Sequence, residues 1–167
     1  MNAEYLKELK QGYLDENGVT RLDFILKYPQ QLANDLGTAT PKLSTKQARS
    51  FFDAFNKIYL SVIGKKVTLA EAKVDLAMLS SKANDKFNKG AIPKDFKDFI
   101  DANVAAVQTE KDLKSFILHF ESVCNYLKDT KVQQNSGNSG NRNSGNNTGN
   151  KINQNRNNSK FYDSRRR

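Results

Sequence analysis

The chain has 167 residues, with 27 Lys and Arg against 18 Asp and Glu, which gives a net charge of +9. This length suits one domain with a tail, and no stretch approaches the ~18 consecutive apolar residues of a membrane-spanning helix. A single cysteine, Cys124, excludes an intramolecular disulfide, and the N-terminal segment lacks the apolar core of a signal peptide. We therefore expect a cytoplasmic protein that does not enter a membrane.

The positive charge is concentrated at the C-terminal end. Residues 1–130 hold 19 basic and 17 acidic side chains, a balance of +2, whereas residues 131–167 hold 8 and 1, a balance of +7. The second stretch is rich in Asn, Ser and Gly, and such a composition buries too little apolar surface to offset the entropy of ordering. We predict a helical domain over residues 1–130 and a disordered basic tail over residues 131–167. The tail is either a solubilising extension or an arm that follows polyanions.

Apolar residues recur at three- and four-residue steps along the first 130 residues, which predicts helices. The pattern favours a short helix over residues 3–13 and a turn at 15–18. A second apolar stripe, over residues 20–37, passes through Leu22 and Leu26 and is broken or restarted at Pro29.

The best specified helix covers residues 43–64. Ser44 and Gln47 have the spacing of a capping box, and Gly64 is placed where a helix often ends in a left-handed residue. The apolar positions of this helix predict one buried, largely aromatic face, formed by Ala48, Phe51, Phe52, Phe55, Ile58, Tyr59 and Val62.

Three more helices are expected before the tail. A second capping box at 68–71 begins a long helix that ends at Gly90, and Pro93 begins the next helix. A cap at 109–112 begins the last helix, which is predicted to end near Lys128. Because alternation of period two is absent and the connections are short, we predict an all-α fold, a compact bundle of about five or six helices.

The residues needed for catalysis do not occur in recognisable arrangements. The only histidine, His119, lies between apolar helix positions, so a structural role is expected. The three aspartates at 95, 98 and 101 follow a helix start. Their spacing could suit a divalent ion, but carboxylates at such a place more often favour the positive end of the helix dipole. We predict no catalytic residue, no metal site and no cofactor, and we expect Cys124 to be a buried structural thiol.

Two of the predicted helices carry a basic stripe opposite the apolar face. The stripes consist of Lys46, Arg49 and Lys57 on one helix and of Lys82, Lys86 and Lys89 on the next. If the stripes line one groove, their cations are suited to phosphate groups, which they would bind without reading sequence. The alternative is an ordinary solvated surface, and Asp53 and Asp85 interrupt the stripes.

Five segments resemble, in the same order, the small helical subunit of type III-A CRISPR effector complexes. They are GYLDENG at 12–18, KLSTKQARSFFDAFNKI at 42–58, LAMLSSKANDKF at 76–87, DFKDFIDANVAAV at 95–107 and FILHFESVCNYLK at 116–128. Five segments in the same order make the resemblance more specific than any one of them would.

The resemblance implies a non-catalytic subunit of an RNA-guided interference complex. Several copies would line up beside the backbone subunits, extend from the large signalling subunit and contact target RNA. Lys46 and Arg49 match basic positions at that family's helix start. Lys82 and Lys86 match its central segment, where the family often has arginine near Lys86 or Lys89. The implied contact is to the target RNA or to the backbone of the guide–target duplex, without sequence specificity.

Two other functions remain open at this point. One is a generic basic helical protein that binds nucleic acid, and the other is a protein–protein scaffold whose basic surfaces dock acidic partners. A small nuclease is a third class, but it lacks candidate residues.

Overall fold

The computed structural model describes residues 1–136, which form six α-helices and one 3₁₀ turn. The helices are α1 (Ala3–Lys10), α2 (Lys27–Thr38), α3 (Thr45–Ile63), α4 (Leu69–Asn88), α5 (Lys94–Ala106) and α6 (Glu110–Ser136), and the 3₁₀ turn is Leu22–Phe24. Within the described residues, extended pairing is limited to one isolated bridge between Leu14 and Thr20. The all-α prediction is confirmed.

The core is an aromatic cluster around α6, which packs against α2 and α3. The rings of Phe52 and Phe120 lie 5.9 Å apart and those of Phe55 and Phe116 lie 5.1 Å apart, both edge to face. Because the residue numbers rise along α3 while they fall along α6, the two helices are antiparallel. None of the helices in this part of the chain is both long and apolar enough to cross a bilayer.

Three helix starts have the predicted caps. The Ser44–Gln47 and Thr68–Glu71 boxes are complete, with side-chain and backbone hydrogen bonds in both directions. At α6, the carboxylate of Asp112 accepts from the backbone N–H and the hydroxyl of Thr109, at 2.8 and 2.9 Å. These contacts satisfy amide groups that a helix start otherwise leaves unpaired.

The end of α3 differs from the prediction. Gly64 has a φ of −77°, and its N–H still donates to the carbonyl of Leu60 at 3.1 Å. The left-handed residue is Lys65, with a φ of +57°. The bonds from Lys65 N–H to Val62 O and from Lys66 N–H to Ser61 O, 3.0 and 2.9 Å long, form a Schellman motif one residue later than predicted.

Two apolar residues of the second predicted helix are not buried. Leu22 and Leu26 are 71% and 55% exposed, whereas Phe24, between them, is fully buried. The reason is that this segment is a 3₁₀ turn, and α2 begins only at Lys27. Pro29 then lies in the first turn of α2, where its missing N–H costs little.

The last helix extends beyond the predicted end near Lys128. α6 continues to Ser136, and the first glycine after Lys128 is Gly137, so no helix-breaking residue intervenes. Residues 131–136, assigned to the tail from sequence, are therefore helical. The rest of the predicted tail, 137–167, lies outside the described residues.

Candidate nucleic-acid interface

A groove of about 490 Å³ runs between α3 and α4. It is lined by Ser44, Lys46, Gln47, Ser50, Phe51, Ala54, Leu79, Lys82 and Lys86. The two helices are joined by a short loop and pack against each other. The groove therefore lies on one helical hairpin, and both walls are helical.

Three of the six basic residues predicted from sequence meet at this groove. Lys46 comes from the first turn of α3, and Lys82 and Lys86 come from successive turns of α4. Among the described residues that line the groove there is no carboxylate, so the local charge is positive although residues 1–130 are nearly neutral. Such a concentration of cations between low-dielectric walls raises the local concentration of anions.

The capping box of α3 also fixes one end of the groove. The side-chain amide of Gln47 donates to the carbonyl of Ala91 at 2.7 Å, in the loop that follows α4. The start of α3 is thereby tied to the end of α4. Since Lys46 precedes Gln47 and Lys86 is in the last turn of α4, this bond holds the two basic ends side by side.

The other three predicted residues do not line the groove. The guanidinium carbon of Arg49 lies 5.2 Å from the centre of the Phe52 ring, a cation–π contact. Phe52 packs on Phe120 of α6, so Arg49 lies on the flank of α3 away from α4. Lys57 is exposed farther along α3, and Lys89 is exposed and pairs with Asp85 at 2.8 Å.

A second groove is similar in size to the first, so size alone does not mark the first groove as a binding site. It lies between α1 and α5 and has a similar volume, about 470 Å³. Its only charged lining residues among those described are Lys10 and Asp112, and alanines 102, 105 and 106 form much of its wall. With one charge of each sign, its lining has no net charge that would attract a polyanion.

The aspartates considered as ion ligands have other partners. Lys97 contacts Asp98 and Asp101, at 3.5 and 2.9 Å, and Lys94 contacts Asp98 at 2.5 Å. The N-terminal amine pairs with Asp95. These cations already neutralise the carboxylates, and no cluster of three or more metal-ligating side chains occurs in the described part of the chain.

His119 and Cys124 are both fully buried in the core. His119 Nδ1 donates to the carbonyl of Phe24 at 2.5 Å, and its Nε2 is 3.1 Å from the hydroxyl of Tyr5. Burial lowers the pKa of His119 to about 4, so the ring is neutral near pH 7. A neutral, enclosed imidazole in this setting has a structural role.

Sequence reasoning missed the deeper residues of the groove. Phe51 was assigned to the buried face of its helix, and Ser50 and Ala54 were not singled out. The available signal was the small side chains of Ser50 and Ala54, one turn apart on the border between the basic and apolar sides of α3. Small residues at such a border leave room between two helices.

The comparison with protein families decides the assignment. The family model described as Csm2 Type III-A matches residues 21–133, more than half of the chain. This chain belongs to the Csm2 family. No curated protein and no solved structure matches it.

Membership in the Csm2 family makes the chain a small subunit of a type III-A CRISPR complex, together with other Csm subunits. The resemblance found in the sequence is thus confirmed at the level of the family. The match includes α2 to α5 and α6 as far as residue 133, and thus both helices of the groove, whereas the segment at 12–18 and α1 lie outside it.

Proposed function

We propose that this Csm2 subunit holds RNA by its phosphate backbone and takes no part in cleavage. The observation that carries the proposal is the convergence of Lys46, Lys82 and Lys86 on one groove that has no lining carboxylate among the described residues. Lysine ammonium groups bind phosphate as point charges and do not distinguish bases. Base pairing between guide and target supplies the sequence specificity in RNA-guided systems.

The remaining basic residues have secondary roles in this proposal. Lys57 and Lys89 extend the positive surface along the exposed sides of α3 and α4, and the ion pair with Asp85 weakens the contribution of Lys89. Arg49 lies on the other flank of α3 and is available to a different strand or subunit. Its position separates it from the groove set.

The placement of the subunit in the complex is also a proposal. We infer from the family that it packs beside the backbone subunits and the large signalling subunit, in several copies. Val74 and Met78, one turn apart on α4, are 64% and 66% exposed and offer an apolar contact for a neighbouring protein. No cofactor is needed for such a positioning role.

The test is to change Lys46, Lys82 and Lys86 to Ala together in the assembled complex. Each lost phosphate contact lowers the slope of log K against log salt by about 0.7–0.9, so the variant slope should fall by about 2–3. RNA retention at physiological salt should weaken, while the helical content by circular dichroism stays the same.

A matched control removes three charges elsewhere. Lys7 and Lys10 on α1 and Lys114 on α6 are exposed and lie outside the groove. Changing these three to Ala should leave RNA retention close to that of the unchanged complex. If the groove variant and the control variant retain RNA equally well, the site assignment is wrong and the scaffold function is favoured.

A further inference from the structure

The deep part of the α3–α4 groove is apolar, although its rim is basic. Phe51 is 3% exposed and Ala54 and Leu79 are half-buried, whereas Lys46 and Lys82 are exposed. A contact to phosphates alone requires cations and hydrogen-bond donors, and an apolar floor adds nothing to it. The volume of about 490 Å³ is within the range of about 300–1,000 Å³ typical of small-ligand clefts.

Most polar groups of the groove other than the lysines already have partners. The Gln47 side-chain oxygen accepts from the N–H and the hydroxyl of Ser44, at 2.9 and 2.8 Å, and its amide donates to Ala91. The Ser44 hydroxyl in turn accepts from the Gln47 N–H at 3.1 Å. An occupant of the floor therefore meets apolar contact and few hydrogen-bonding groups.

We propose that the groove takes an unpaired nucleotide of a single RNA strand, with its base on the floor of Phe51, Ala54 and Leu79 and its flanking phosphates at the lysines. The inference rests on the proposed function and narrows its ligand from an RNA backbone of either kind to a single strand. In an A-form duplex the bases are stacked and paired inside the helix, so none reaches a recessed floor. A single strand can turn a base out toward an apolar surface.

The floor predicts that base identity has little effect. A good bidentate contact to a base edge discriminates between bases by about 5- to 150-fold, and the partners available on the floor do not supply one. Single strands of each of the four bases should therefore bind with affinities within about tenfold of one another.

The experiment compares two labelled 12-nucleotide single strands, one intact and one with every base removed. Both strands carry the same phosphates. The affinity of the full-length protein for each strand, measured by fluorescence anisotropy of the labelled RNA at about 50 mM salt, therefore isolates the contribution of the bases. The intact strand should bind at least about fivefold more tightly, the lower end of what one base contact provides. Equal affinities for the two strands overturn the inference, and this comparison requires no variant.

Two variants then locate the contact. Ala54→Leu fills the floor without changing the charge, and it should bring the two affinities together while leaving the salt slope unchanged. Ala77→Leu, on an exposed position of α4 outside the groove, is the matched control and should leave the ratio as it was. An unchanged ratio in a folded Ala54→Leu chain means that the base lies elsewhere, which also overturns the inference.

The outcome also separates this inference from the function on which it rests. If changing Lys46, Lys82 and Lys86 to Ala weakens the binding of both strands but the strands bind equally to the original chain, only the base contact is wrong. If neither strand binds, or if removing the lysines has no effect on either affinity, both proposals fail.

Discussion

At the scale of the residue, Lys65 adopts a backbone conformation that normally favours glycine. Its φ of +57° brings the Cβ of an L-residue close to its own carbonyl, at a cost of roughly 1–2 kcal/mol. The preceding Gly64 has an ordinary φ, but a Cβ there would lie 3.0 Å from the carbonyl oxygen of Leu60. Glycine is thus used for space at position 64, and the sequence signal for the left-handed residue points one position too early.

Replacing Lys65 with Gly should stabilise the fold. Relief of the left-handed strain outweighs the added freedom of the unfolded chain, so the free energy of unfolding should rise by about 0.5–1 kcal/mol. Urea denaturation measures it. Lys66→Gly removes the same charge where the φ is not positive, so it should destabilise the protein. Equal losses in the two variants would show that the strain at Lys65 is negligible.

At the scale of the elements, a buried hydrogen-bond chain joins α1, the 3₁₀ turn, α5 and α6. The Tyr13 hydroxyl donates to the Asn103 oxygen at 2.6 Å, and the Asn103 amide donates to the Tyr5 hydroxyl at 2.7 Å. Because the Phe24 carbonyl can only accept, His119 carries its proton on Nδ1, and its Nε2 accepts from Tyr5. Every hydrogen-bond donor among these buried side chains has an acceptor, as buried polar groups require.

The burial of His119 in these hydrogen bonds predicts that part of the protein's stability depends on pH. The pKa of His119 is lowered to about 4 in the fold, against about 6.5 in the unfolded chain. Between these two pH values the unfolded chain binds a proton that the folded chain does not. The contribution of His119 to the free energy of unfolding is therefore fully present above pH 6.5 and is lost as the pH falls to 4. The loss should be about 3 kcal/mol, from about 1.36 kcal/mol per pKa unit.

Urea denaturation between pH 7.5 and 4.5 tests this assignment against a His119→Phe variant. The variant keeps an aromatic ring but cannot titrate, so it should be less stable at pH 7.5 and have a shallower pH profile. Carboxylates titrate in both proteins and cancel in the difference. Parallel profiles would mean that His119 does not carry the acid sensitivity.

The pairing of α3 with α4 shows what the sequence determines at this scale. A capping box depends on residues within one turn of a helix, so the boxes at Ser44–Gln47 and Thr68–Glu71 could be predicted from sequence alone. Which flank of α3 meets α4 depends on packing between distant segments. From sequence, Arg49 was placed on the same basic stripe as Lys46. In the structure the two are separated, because Arg49 contacts the ring of Phe52 on the side of α3 that faces α6.

At the scale of the whole molecule, most of the net charge lies in the C-terminal residues. Residues 137–167 hold seven basic side chains and one acidic, a balance of +6 of the total +9, so residues 1–136 carry +3. Long-range attraction to a polyanion should follow this total, whereas the proposed base contact depends on the groove alone. The two contributions therefore respond differently to salt and to truncation.

A truncated protein that ends at Ser136 should separate the long-range attraction from the base contact. Removing seven cations should lower the slope of log K against log salt for single-stranded RNA by at most about 5, at about 0.7 per cation. Affinity should fall most at about 50 mM salt and approach that of the full chain at about 300 mM, where screening is stronger.

The preference for the intact over the base-free strand should persist in the truncated protein. The free energy of unfolding should also stay the same, because the described core lies within residues 1–136. Identical salt slopes for the two chains would show that the C-terminal cations do not reach the RNA, and loss of the preference on truncation would place the base contact in residues 137–167.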